Sequence, residues 1–297
     1  MTYHNPVLLF ESVDGLEIIP DGVYVDVTFG GGGHSREILK RLGDEGRLFA
    51  FDQDEDAAKN VIDDERFVLI PENFRYLKRF LRFHGIKKVN GILADLGVSS
   101  HQFDTAERGF STRFDAALDM RMNQKGQKSA YTIINEYAED DLSSILYLYG
   151  ELKNSRAIAK QIVESRKNGE IKTSFQLKEV LGRFLPKNKE HKILAQIFQA
   201  IRIEVNEELE VLKEFLMQSA ELLEKGGKLS VISYHSLEDR LVKRYMKTGL
   251  FEGEPEKDFF GNIEVPFKAG KLIVPSANEI QNNNRARSAK LRIATKL

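Results

Sequence analysis

Val23-Tyr24-Val25-Asp26-Val27-Thr28-Phe29-Gly30-Gly31-Gly32-Gly33-His34-Ser35 is the stretch on which the reading of this 297-residue chain turns. Val23 to Val27 reads as a buried strand, the four glycines as a tight turn, and Ser35 to about Leu42 as a helix. A glycine run between strand and helix lets the backbone approach a ligand closely, while the helix N-terminus offers free N–H groups to anionic atoms. A cofactor site is the functional reading. A purely structural turn is the plain one, although four successive glycines cost considerable folding entropy.

The same alternation continues outward. Strand Leu48 to Phe51 ends at Asp52, and a helix from about Glu55 to Ile62 leads to strand Phe67 to Ile70, stopped by Pro71. Helix Arg75 to Phe83 then precedes a fourth strand, Val89 to Ala94, ending at Asp95. Strands alternating with amphipathic stretches predict βαβ units and a parallel α/β sheet. From about Thr105 to Lys189 no buried strand pattern is found, only polar loop and helical segments, one opened by the T-x-x-Q capping box Thr173 to Gln176. The sheet pattern resumes after one long helix, Phe198 to Lys225, closed by Gly226-Gly227 as a C-cap. Strand Lys228 to Ser233, helix Leu237 to Lys247 and a last strand within Ser288 to Lys296 follow, while Phe251 to Asn284 reads as loop.

Composition bounds the function classes. Hydrophobic residues at 41% and charged ones at 30% describe an ordinary globular protein with a real core. Met1 to Pro6 lacks the basic start and apolar stretch of a signal peptide, and no apolar run approaches a membrane span, so a cytoplasmic location is expected. The absence of cysteine removes disulfides and thiolate chemistry, and the six histidines show no spacing such as H-x-x-x-H, so no metal site is assigned. A formal net charge of −1 argues against binding nucleic acid through bulk electrostatics. Local patches would have to serve, and Arg285 to Arg292, with four cations in eight residues, is the best of them; a solvated loop entering a strand is its plain reading.

Asp52 ends the strand after the glycine turn, where a carboxylate can accept the hydroxyl hydrogens of a ribose. Together they imply a nucleoside-containing cofactor. The dinucleotide fingerprint G-x-G-x-x-G fails, because counting from Gly30 the last position is Ser35. A methionyl group, with a carboxylate and an amine but no phosphate, suits this turn better, which favours S-adenosylmethionine; a nicotinamide or flavin nucleotide is the competing reading. Asp95, at the end of strand four, could accept the N–H of an exocyclic amine as a methyl arrives. It could equally bind the cofactor's amine or cap its loop. In Ser233 to Arg240, Ser236 with Asp239 reads as a capping pair, while His235 and Tyr234 could face the substrate as general base and stacking platform. A hydrolase is disfavoured, since no G-x-S-x-G elbow is present.

Longer blocks are more specific than the turn. His4-Asn5-Pro6-Val7-Leu8-Leu9, Asp26 through Ser35, Asp95 through Ser100 with Gln102, Arg108-Gly109-Phe110-Ser111, Leu118-Asp119-Met120-Arg121-Met122, Phe198 to Ile203, Asn206 to Leu209, His235 to Arg240 and Arg285 to Lys290 together resemble the bacterial ribosomal RNA small subunit methyltransferase H family, also called MraW. The match runs nearly end to end. Three departures are Ala117, Lys192 and Asn284, each standing where the family commonly has proline.

The resemblance implies a Rossmann-like class I methyltransferase sheet formed by 1–103 and 198–297, with an inserted helical substrate-recognition domain over 104–197. It implies N4-methylation of a cytidine in the decoding region of 16S rRNA, with the 30S ribosomal subunit as partner, a homodimer as a possible assembly and no membrane. By position, the cofactor contacts fall on Gly32, Gly33, His34, Asp52, Phe74, Asp95 and Gln102. Asp95 and His235 are the catalytic candidates. Phe103, Phe110 and Tyr234 are stacking candidates, and Arg108, Arg113, Arg121, Arg285 and Arg287 are phosphate-contact candidates. A cofactor-sensing RNA-binding or ribosome-assembly protein without essential chemistry is the rival from another class.

Overall fold

The computed structural model describes residues 6–261 and 263–297; His4 and Asn5 of the N-terminal block lie outside the described residues. In chain order the elements are α1 (Leu9–Asp14), β1 (Val23–Asp26), α2 (Gly33–Arg41), β2 (Arg47–Phe51), β3 (Phe67–Ile70), α3 (Leu77–Phe83), β4 (Val89–Asp95) and α4 (Ser100–Asp104). They continue with α5 (Ala130–Glu136), α6 (Glu139–Leu148), α7 (Ser155–Arg166), α8 (Ser174–Val180), α9 (Glu190–Asn206) and α10 (Glu208–Leu222). The chain closes with β5 (Leu223–Ser233), α11 (Ser236–Thr248), β6 (Phe267–Ile273), α12 (Ala277–Asn282) and β7 (Lys290–Lys296).

The chain divides into two compact units, 1–97 with 209–297, and 98–208, against the 104–197 insertion expected from sequence. In the first unit the strands order as β3-β2-β1-β4-β5-β7-β6, a Rossmann-like sheet. Strands β1 to β5 pair in parallel, while β7 runs antiparallel between β5 and β6. Successive side chains of a strand face opposite sides, and the core divides accordingly. Val25, Phe49, Phe51, Ile92 and Ala94 pack on one face with Leu77, Leu81 and Phe215, whereas Tyr24, Leu48, Ala50 and Leu93 pack on the other with Leu16 and Ile38. Helices covering both faces explain why these strands read as continuous apolar runs.

The second unit is helical, built around Leu118, Met120, Ile133, Leu146, Ile158, Ile162, Leu177, Ile197 and Ile201. The Thr173 capping box forms as expected, Thr173 accepting from the Gln176 N–H and Gln176 reaching back.

Several expectations are corrected. The single helix over 198–225 is two, α9 and α10, broken at Glu207, whose φ of 52° leaves the helical region. Gly226-Gly227 is no C-cap: β5 begins at Leu223, and both glycines sit within it beside a register shift against β4. The expected helix over 55–62 is a 3-10 turn, Glu55–Asn60, ending where the Asn60 amide donates to the Gly30 carbonyl at 3.0 Å. The supposed loop 251–284 contains β6 and α12; β6 is nearly all exposed, so no apolar alternation marked it.

Candidate active site

The parallel strands β1, β2 and β4 end side by side, and each ends on or next to an aspartate. Asp26 is fully buried: one carboxylate oxygen accepts from the Thr28 N–H at 3.1 Å and the other from the Ser35 hydroxyl at 2.7 Å. It thereby clips the glycine turn across its base. Thr28 Oγ1 in turn accepts the Asp95 N–H at 2.7 Å.

The turn itself runs through left-handed backbone at Gly30 and Gly32. A Cβ at Gly32 would meet the Phe29 ring and the Arg36 guanidinium, both at 2.9 Å, so the residue is needed for its conformation and its lack of volume. Gly32 is also the N-cap of α2, and no side chain caps that terminus. Its N–H groups remain available to a ligand anion.

Asp52 closes the cradle from the β2 side. Its oxygens accept the Gly30 N–H at 2.8 Å and the Asp54 N–H at 2.9 Å. Each carboxylate oxygen retains a second acceptor position, so two hydroxyls can still be held. Burial raises the Asp52 carboxyl to about 6, against the pull of those two backbone bonds.

Asp95 is the last residue of β4, its side chain 23% exposed. Oδ1 accepts the Tyr234 hydroxyl at 2.7 Å, and Oδ2 is 3.9 Å from Nδ1 of His34. His34 is itself buried, its Nε2 being 3.2 Å from the Val7 carbonyl. Burial raises the Asp95 carboxyl to about 6; His34 and the Tyr234 hydrogen bond oppose the rise, while Asp26 and Glu238 add to it. Burial and the Asp95 charge together push the Tyr234 phenol well above its ordinary value.

The capping pair of α11 starts one residue earlier than expected. His235 keeps extended backbone as the chain leaves β5 and is the N-cap; its Nδ1 takes the Glu238 N–H at 3.4 Å, and its Nε2 faces Glu238 Oε1 at 3.1 Å. Glu238 also accepts the Tyr234 N–H at 2.9 Å. Asp239, expected in the cap, instead pairs with Arg292 at 2.7 Å and Lys290 at 3.2 Å.

The structure therefore brings Gly32, Gly33, His34, Asp52, Asp95, Tyr234 and His235 onto one unit. Phe74, half-buried on that unit, packs edge-on against Phe215 at 5.4 Å. Arg287 is exposed and Arg285 half-buried in the turn before β7. Gln102 belongs to the other unit, buried in a capping box with Ser99. There Phe110 and Arg108 are also buried, the guanidinium lying 5.9 Å over the ring and donating to the Arg121 and Met122 carbonyls, so both serve the unit's own packing. Arg121 pairs with Asp119 at 2.6 Å. Arg113 lies over the rings of Phe103 and Phe114 and reaches Asp104 at 3.2 Å. Sequence reasoning missed Asp26, Thr28, Ser35 and Glu238 as site-building residues; a buried acid ending β1 nine residues before a serine was the available signal.

The family model described as the MraW methylase family matches residues 1–297. The chain is 69% identical to the Ribosomal RNA small subunit methyltransferase H of Flavobacterium johnsoniae, covering 100% of this chain and 99% of that one. It is 71% identical to the protein of that name from Flavobacterium psychrophilum, covering 97% and 100%. A solved rRNA methylase from Streptococcus thermophilus is 15% identical with a TM-score of 0.43, covering 100% and 99%. Likeness at that level carries no argument, and the fold rests on the strand order above. Matched from its first residue to its last, and with relatives of about this identity over their whole length, the chain belongs to the MraW methylase family.

Proposed function

We propose that this protein is an S-adenosylmethionine-dependent rRNA methyltransferase of the small ribosomal subunit, and that its target is the N4 amine of a cytidine in the decoding region of 16S rRNA. The observation that carries the reading is family membership over the full length, joined to a cradle of the right donor set. The cradle fits the cofactor: Asp52 keeps acceptor capacity for ribose hydroxyls, and the glycine turn lets the backbone close on the ligand at an uncapped helix terminus. When bound, S-adenosylmethionine supplies an electrophilic methyl group on a sulfonium.

The remaining work falls to the chain. Asp95 Oδ1 is held by Tyr234, which leaves Oδ2 to accept an N4 hydrogen and to receive the proton released as the carbon–nitrogen bond forms. A carboxyl near 6 is matched to that task at neutral pH: ionised, yet basic enough to take the proton. Tyr234 serves here by orienting Asp95, and His235 by capping α11 beneath it. The amine of cytosine reaches such a site only after the base leaves its stack.

The test uses the full-length protein, methyl-labelled S-adenosylmethionine and 30S particles from cells lacking the enzyme. Label should appear in 16S rRNA as N4-methylcytidine by mass spectrometry of the digested RNA. Binding of the particle without methyl incorporation would favour the assembly-factor reading instead.

A further inference from the structure

Asn73 to Lys88 contains Arg75, Lys78, Arg79, Arg82, Lys87 and Lys88 and not one acidic residue, in a chain whose formal net charge is −1. Leu77 and Leu81 are fully buried and fix the inward face of α3. Three of the cations are spent locally. Arg75 pairs with Glu214 at 2.7 Å, Lys78 with Glu221, and Lys88 donates to the Glu221 carbonyl at 2.8 Å.

The others are different. Arg79, Arg82 and Lys87 are exposed, and among the described residues none of them makes an ion pair. On the same outward stripe Tyr76 is 44% exposed and Phe83 is 83% exposed, its ring meeting His84 edge-on at 5.3 Å. Neither ring is accounted for by the core. One exposed phenylalanine is ordinary. Two aromatics at i and i+7 with two exposed guanidinium groups between them, that of Arg79 lying 5.9 Å over the Phe80 ring, combine a stacking platform with backbone charge, the pairing by which unpaired nucleic acid is held.

The topology also fixes where this face lies. Strands β3 and β4 are parallel, so α3 returns along the sheet and delivers Phe83 to Lys88 at the starting end of β4, opposite the end that carries Asp95. The seven residues of β4 span roughly 20 Å at strand rise.

We propose that the outward face of α3 and its flanking turns, with Tyr76 before the helix, Arg79, Arg82 and Phe83 on it and Lys87 after it, is a second rRNA-contact surface about 20 Å along the sheet from Asp95. It anchors RNA remote from the base being methylated: the cations meet phosphates, and Phe83 stacks on an unpaired base. The inference rests on rRNA being the substrate, as proposed above.

A double variant, a single variant with its controls and a photocrosslinking variant of the full chain test it, each checked for unchanged thermal stability and S-adenosylmethionine affinity. With unmethylated 30S particles, Arg79→Ala with Arg82→Ala should raise KM about tenfold, keep kcat within about twofold, and flatten the dependence of log KM on log salt by about two contacts. Phe83→Ala should raise KM by about five- to fiftyfold, with Phe83→Trp restoring it and Phe83→Leu not. A photocrosslinker introduced as Phe83→p-benzoylphenylalanine should give an RNase-sensitive adduct with the particle. Unchanged KM in the arginine double variant and in Phe83→Ala, or an adduct that resists RNase and yields to protease, overturns the proposal; the second outcome assigns the face to a protein partner. Failure of the wild type to methylate the particle counts against the proposed function alone, since the crosslink reads the surface independently.

Discussion

In the reaction proposed above, Asp95 meets two opposed demands. Its carboxylate must be ionised to accept a proton, yet it sits where burial favours the neutral form and raises it to about 6. A carboxyl raised on folding contributes stability that is fully present below its unfolded value near 4 and is lost as pH rises through 6. Asp95→Asn keeps an oxygen for the Tyr234 hydroxyl and removes the buried charge. The variant should be more stable than wild type above pH 6, by at most about 3 kcal/mol for two pH units, with the difference vanishing towards pH 4 in denaturant titrations. Its methylation rate should fall at least about a hundredfold. Tyr234→Phe keeps the ring against Gly97 and deletes the hydrogen bond that favours the charged form, so the Asp95 carboxyl rises further. The acid limb of the kcat/KM profile should then move to higher pH; a limb that stays in place would show that Tyr234 does not tune Asp95. Asp95 was legible in sequence because it ends an apolar strand run. Its bond to Tyr234 was not, since the two lie 139 residues apart and meet through the pairing of β4 with β5.

The strand-turn-helix unit of β1 and α2 was readable because strand, glycines and helix follow one another within a few residues and each is governed by local chemistry. Gly32→Ala places a Cβ at a φ of 74° and within 2.9 Å of Phe29 and Arg36. A loss of about 1–2 kcal/mol is expected in chemical denaturation, together with weaker S-adenosylmethionine binding by isothermal titration. The break between α9 and α10 was hidden for the opposite reason. Phe198 to Lys225 keeps amphipathic helical periodicity throughout, and the residue that leaves the helix, Glu207, is an ordinary helix former. Glu207→Gly should be neutral or stabilising by up to about 1 kcal/mol, because glycine holds positive φ without strain, whereas Glu207→Val should destabilise by more than that. Equal losses for the two would mean that the side chain matters more than the backbone there.

At the scale of the whole molecule, a protein with a net charge of −1 must hold a polyanion through a few local contacts. With about four phosphate contacts, drawn from among Arg79, Arg82, Lys87, Arg113 and Arg287, the slope of log affinity against log salt should be near −3. Raising salt from about 50 to 200 mM should then weaken 30S binding roughly fiftyfold. A slope steeper than about −6 would require basic surface beyond these residues. Described helices are too short or too polar to cross a membrane, in line with the lack of any long apolar run in the sequence.

The sequence by itself determined what is written in short-range order: the alternation of strands and helices, the glycine turn, the strand-end acids Asp52 and Asp95, the Thr173 capping box and the family blocks. Each depends on residues close together in the chain, whose periodicity and backbone preferences are local. Only the tertiary structure decided what each side chain does. It buried Arg108 and Phe110, made His235 rather than Ser236 the cap of α11, joined Tyr234 to Asp95 and Ser35 to Asp26, and left Arg79, Arg82 and Phe83 facing outward. Burial, desolvation and pairing across strands arise between residues distant in sequence, and composition and spacing do not encode which of them will meet.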